Sequence, residues 1–186
     1  MNKVKYGLSN VHIWPIASDE EGKTTYGETI KIPGAVSISF KAEGSQDPFY
    51  ADNIPYHVIS ANNGYSGSLE IALIPDEFLT KILSMKVDET DGILTETAED
   101  KGVSFAMAFQ FEGDKNAIRH IFYKCNATRP SIEGETIADK VEPKTDSLDF
   151  SAIPRISDKK IRSKIEPGKQ AYDTFFDKPY EKVEAI

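Results

Sequence analysis

Little in this chain points to chemistry, and each scarcity removes a class of function. A single cysteine in 186 residues, Cys125, leaves no internal disulfide, so nothing in the fold calls for an oxidising compartment. Basic residues are outnumbered, 22 against 30 acidic, for a net charge of -8. That balance argues against a grip on nucleic acid, which needs clustered Lys and Arg. No stretch approaches the roughly 18 apolar residues of a membrane-spanning helix, and the opening MNKVKYGLSN has no apolar signal core. A soluble protein made in the cytoplasm, with no membrane partner, is the expectation.

Catalytic constellations are equally scarce. His12, His57 and His120 lie far apart with no ligand spacing. There is no Gly-x-Ser-x-Gly elbow and no phosphate-cradling glycine loop. Cys125 sits mid-strand on an apolar face, where it reads as a small buried hydrophobe. Asn126-Ala127-Thr128 fits the glycosylation tripeptide, but without a secretion signal it reads as coincidence. The basic run Lys159, Lys160, Arg162, Lys164 reads as a contact for acidic surface on a neighbour, or as solubility. No enzyme activity, metal or cofactor is expected.

What is present is period-two alternation. Ala35–Glu43 puts Val36, Ile38 and Phe40 on one face, and Leu69–Ile74 does the same with Leu69, Ile71 and Leu73. Val103–Glu112 is the clearest strand, with Val103, Phe105, Met107, Phe109 and Phe111 two apart. The turn Glu112-Gly113-Asp114-Lys115 joins it to Ile118–Thr128, where Ile121, Tyr123, Cys125 and Ala127 share a face. Leu148, Phe150 and Ala152 mark a strand at Ser147–Ile153, and Tyr56–Ile59 is a weaker candidate. Together these predict a mainly β fold, a sandwich or barrel of two packed antiparallel sheets.

One short helix is predicted over about 76–85. Pro75-Asp76-Glu77 signals its start, and Phe78, Leu79, Ile82 and Leu83 form its apolar stripe. On the second face of the Val103 strand Ser104, Ala106 and Ala108 are small and uncharged, where open water would call for charge or threonine. Something packs closely over it: this helix, or a neighbouring subunit.

The sequence divides into a sandwich domain over 1–154 and a C-terminal arm over 155–186. Gly44–Pro55 reads as a long turn-rich loop, Lys86–Gly102 as an acidic loop turning at Asp91-Gly92, and Pro130–Pro143 as a long polar connection. Loops beyond about 12–15 residues are uncommon in compact domains unless functional or flexible. Large aromatics in these polar segments are candidate contacts between subunits: Phe49 and Tyr50 in the loop, and Phe175, Phe176 and Tyr180 in the arm. Folding back onto their own domain is the competing reading, and the residues alone leave both open.

Four blocks then carry a resemblance: KVKYGLSNVH (Lys3–His12), IPGAVSISFKAEGSQDPFYADN (Ile32–Asn53), NNGYSGSLEIALIPDEF (Asn62–Phe78) and FYKCNATRPSIEGET (Phe122–Thr136). In this order they resemble the major tail proteins of long-tailed, non-contractile phages infecting Gram-positive bacteria, with a weaker echo at AYDTFF (Ala171–Phe176). Arg155–Gln170 follows no family pattern. The resemblance implies a structural virion protein of the phage tail, a β-sandwich with a flanking helix. Its copies would form stacked, usually hexameric, rings around a channel that passes the genome without specific binding. It also implies tape measure, tail tip and tail terminator proteins as partners. The inner tube of a contractile injection system and an immunoglobulin-like adhesion or glycan-binding module are the alternatives.

Overall fold

The computed structural model describes residues 4–113, 115–132, 134, 136 and 144–182. Asp114 of the predicted turn, most of the Pro130–Pro143 connection and the last four residues of the arm lie outside the described residues. The strands are β1 (Leu8–Glu20), β2 (Lys23–Tyr26), β3 (Ile30–Ile32), β4 (Ala35–Ala51), β5 (Ile54–Ile71), β6 (Lys86–Val87), β7 (Leu94–Thr95), β8 (Phe105–Phe111), β9 (Ile118–Ala127), β10 (Asp146–Ala152) and β11 (Arg162–Ile165). The one helix, α1, is Asp76–Lys81.

Nine strands form one antiparallel sheet in the order β2-β1-β8-β9-β10-β5-β4, with β3 on β1 and β11 on β9. β6 and β7 make a separate two-stranded ribbon. The fold is mainly β, as the alternation predicts, and its two layers are halves of a single curled sheet. Phe40 of β4 shows the closure: its ring stacks on Phe122 of β9 at 3.9 Å between centroids, although β4 and β9 are not hydrogen-bonded neighbours.

The enclosed core is what the alternating residues provide. Val11, Ile13, Leu69, Ile71, Phe105, Met107, Phe109, Leu148 and Phe150 are all buried. Gly67 sits in register between Phe40 and Phe150. A Cβ there would lie 2.6 Å from the Ser39 carbonyl oxygen and 2.8 Å from the Phe150 ring, so only glycine lets the two aromatics meet across it.

Helix α1 is shorter than predicted, but its stripe holds: Phe78, Ile82 and Leu83 are buried and Leu79 is partly so. Its target differs from the expectation. Phe78 meets Phe105 edge-on at 5.9 Å, so the helix closes one end of the inner core. The small face of β8 is covered by the C-terminal segment instead. Ala106 and Ala108 lie in a second buried cluster with Trp14, Ile121, Tyr123 and Phe175. Two alanines make room for these three large rings.

β-bulges account for the misplaced side chains. Ala35 pairs with Ile71 and Ser37 with Glu70, so Val36 is the extra residue and points to solvent. Phe105 pairs with Cys125 but Met107 with Phe122, an extra residue in β9 that flips its alternation. Ile121 and Tyr123 therefore face outward under the C-terminal segment, while Cys125 faces the inner core, so the predicted shared face is split. Leu73 is exposed because β5 ends at Ile71, and Ile74 is buried in its place.

The segment after residue 154 is part of the body. β11 pairs with β9, and the Arg155 side chain is buried under an extensive bond set. Its guanidinium donates to both Asp158 carboxylate oxygens at 2.7 and 2.6 Å, to the Tyr26 hydroxyl at 2.9 Å and to Glu181 at 2.7 Å, over the Tyr123 ring. Asp19 braces the same region, accepting from Lys124 Nζ at 2.8 Å and from the Ile156 amide.

Candidate functional site

The segment predicted as a loop over 44–55 is the outer part of a long β-hairpin. β4 and β5 continue pairing past the body to Ala51 and Ile54, with Asp52 and Asn53 at φ of 52° and 63°. Two consecutive positive φ angles make the two-residue turn that matches strand twist, and Asp-Asn is the residue type that tolerates it. The hairpin leaves the body at a bulge where Glu43 pairs with Gly64 but Gly44 with Asn62. Gly64 has φ +103°, and a Cβ on it would lie 2.0 Å from the Ala152 carbonyl oxygen.

From Gly44 to Ala61 nearly every residue is exposed, and the exposed set is apolar on both sides of the ribbon. Directly paired residues share a face, so Phe49 lies with His57, Asp47 and Ile59. Tyr50, Pro48 and Val58 lie on the other face. Phe49 is 59% exposed, Tyr50 61%, Ile54 58%, Ile59 58% and Tyr56, at the distal bulge, 71%. The outer half of β5 has no strand on its far side, because β10 pairs only with Tyr65–Ile71. β4 is the last strand of the sheet, so both ribbon edges carry unpaired backbone groups. A lone two-stranded ribbon is marginally stable in water at best. This one exposes large apolar side chains on both faces and unpaired backbone groups on both edges.

The C-terminal candidates separate. Phe175 is 2% exposed within its own chain, the position that the folding-back reading describes. Phe176 is half-buried, stacked on His12 at 4.9 Å with the Arg119 guanidinium 4.8 Å over its ring. Tyr180 remains on the surface. As contact residues the sequence reading left out Ile54, Tyr56, Val58 and Ile59, although it took Tyr56–Ile59 as a weaker strand and the structure places them in β5. The available signal was Asp52-Asn53 between two apolar runs.

A second outward surface differs in kind. The outer face of β4, β5 and β10 carries Ser37, Ser39, Lys41, Glu43, Ser66, Ser68, Glu70, Ser147, Asp149 and Ser151, all outward by register. Two of its three carboxylates are tied into the sheet: Ser66 donates to Glu43 at 2.7 Å, and Glu70 accepts from Thr145 at 2.6 Å and Ser37 at 2.9 Å. The bonds from Thr145 and then Ser37 hold the Glu70 carboxyl below its usual range. The face is hydroxyl-rich and net acidic.

Cys125 is fully buried, and burial pushes its thiol well above the ordinary range. Burial, followed by Arg162, Lys5 and Lys164, pushes His120 down to about 4. Burial also lowers His12, and His57 lies on the hairpin. Among the described residues no three His, Cys, Asp or Glu side chains group to hold a metal, and no helix is long and apolar enough to cross a membrane. No known protein-family model matches the chain, and no curated protein matches its sequence.

Proposed function

We propose that this chain is a tail tube subunit of a long-tailed, non-contractile phage, whose copies join into stacked rings around a DNA channel. The observation that carries the reading is the β4–β5 hairpin, which exposes aromatic side chains on both faces and backbone groups on both edges. A protein that works alone gains nothing from such a ribbon and risks aggregation. A subunit that must bind identical subunits on several sides uses it fully. The four ordered sequence blocks direct the reading to the phage tail in particular, with tape measure, tip and terminator proteins as further partners and the virion as the location.

The serine-rich face suits the channel wall. Duplex DNA carries about one negative charge per 1.7 Å of axis, so a basic lining would retain it. Short hydroxyl side chains, with three carboxylates against the single cation Lys41, offer it little to bind. No cofactor enters this function.

Replacing Phe49 and Tyr50 with alanine tests the proposal. The variant should melt like the parent, because neither residue touches the core, yet form no tubes under electron microscopy at concentrations where the parent does. Normal tubes from the variant, or a parent that stays monomeric under every condition, would refute it.

A further inference from the structure

The curled sheet is closed at one end by α1 and open at the other. Its open end holds a cavity of about 290 Å³ with Val4, Phe111 and Ile118 as apolar lining and Lys5, Lys164 and His120 around them. Arg162 adds a third cation close enough to His120 to act on it. Several cations elsewhere in this acidic chain pair with carboxylates: Lys81 with Glu77, Lys124 with Asp19, Arg129 with Glu96, Lys160 with Asp158. Among the described residues, Lys5, Arg162 and Lys164 have no carboxylate within ion-pair distance. Lys5 stands 4.7 Å over the Phe111 ring and Arg162 5.5 Å over that of Tyr65, so three cations without an ion-paired carboxylate gather beside aromatic surface, an arrangement suited to an acidic group carried beside an apolar one.

The opposite end of the molecule carries that combination. The β6–β7 ribbon turns through Asp88, Glu89, Thr90, Asp91 and Gly92, with Val87 and Ile93 exposed beside the acids. The turn is rigid: the Asp88 amide donates to the Ile93 carbonyl at 2.9 Å and the Gly92 amide to the Asp88 carbonyl at 2.8 Å. The Thr90 amide caps the Asp88 carboxylate at 2.8 Å, and the Ile93 amide caps Asp91 at 3.1 Å. This knob is rooted at the α1 end of β8, where the Val103 amide donates to the Ile82 carbonyl and Ser84 to the Lys101 carbonyl. The cavity lies at the Phe111 end, about 20 Å along the strand at ~3.3 Å per residue.

From this juxtaposition we infer that the acidic β6–β7 knob of one copy seats in the cationic open end of the curled sheet of a second copy, Ile93 against Phe111 and Ile118, Glu89 and Asp91 against Lys5 and Lys164. Knob and receptor occupy opposite ends of one chain, so the contact is heterologous and head-to-tail, and it continues from copy to copy unless the rotation between copies closes a ring. It deepens the self-assembly reading by supplying a contact along the stacking direction, separate from the hairpin. Its surface ion pairs make it sensitive to salt.

A cysteine pair tests it on the full chain, where the native Cys125 is buried and silent. Ile93→Cys and Ile118→Cys placed together should give a ladder of disulfide-linked multimers under mild oxidant. A mixture of the two single variants should stop at dimers. Adding Lys5→Glu and Lys164→Glu should weaken the cross-linking on the order of tenfold, and a further Asp91→Lys should restore it. Absence of a ladder at any concentration, or an equal yield of dimer from either single variant alone, overturns the inference. Tubes without a ladder would leave the hairpin reading standing. A ladder without tubes would support this contact and count against the tube.

Discussion

Replacing Phe175 with alanine tests whether the C-terminal segment belongs to the body or waits for a neighbour. The ring is buried against Ala106, Ala108, Trp14 and Tyr123, and Phe176 meets it edge-on at 5.9 Å. Truncating a buried phenylalanine costs about 3–5 kcal/mol, depending on how far the site collapses. Alanine methyls cannot reach across the gap, and β1 and β9 hold the two large rings in place. A compensating route exists, because a terminal segment can detach instead of leaving a void, and the loss is then capped at its own docking energy. With a urea slope of about 2–3 kcal/mol per molar for a chain of this size, the midpoint should fall by about 1–2 M. Trp14 is the sole tryptophan and packs in the same cluster, so its emission should move to the red as the segment lifts. An unshifted midpoint with unchanged emission would refute the packing. Phe175 would then be free for a second copy, as the reading of it as a contact between subunits holds.

Two further predictions rest on backbone and charge. Gly64→Ala should cost several kcal/mol or prevent folding, because a Cβ there would meet the Ala152 carbonyl at 2.0 Å, whereas Gly22→Ala, with open space at φ +81°, should cost only about 1 kcal/mol of backbone strain. Equal losses in chemical denaturation would contradict this. His120 lies at about 4 in the folded state against 6.5 unfolded. Its folded value is the lower one, so its contribution to stability is intact above pH 6.5 and is lost as pH falls from 6.5 toward 4, with a slope of at most about 1.4 kcal/mol per pH unit. Denaturation curves of His120→Gln should flatten in that window. A parallel pH profile would exclude His120 as the cause.

The parts legible in the sequence were those where one local pattern decided the outcome. Phe105, Met107 and Phe109, and Leu148, Phe150 and Ala152, alternate without interruption and are buried as the period predicts. β1 escaped notice because His12 and Trp14 are buried behind it as fully as Val11 and Ile13 are in front, which erases the alternation, and Pro15 looks like a breaker. The hairpin escaped because Gly44, Pro48 and Pro55 punctuate it like a loop, while its strands are set by continuity with the paired bases of β4 and β5. Tyr123 and Cys125 seemed to share a face until a bulge separated them. The cover over Ala106 and Ala108 was foreseen as a need, but its source lay some seventy residues away in sequence, beyond what local periodicity encodes.

Hydrogen exchange read by mass spectrometry on free and assembled protein tests the central claim most directly. In the free chain, amides on the open edges of residues 44–61 should exchange quickly, and on assembly this segment should gain the largest protection in the molecule. Tubes in which residues 44–61 exchange as fast as in the free chain would contradict the account.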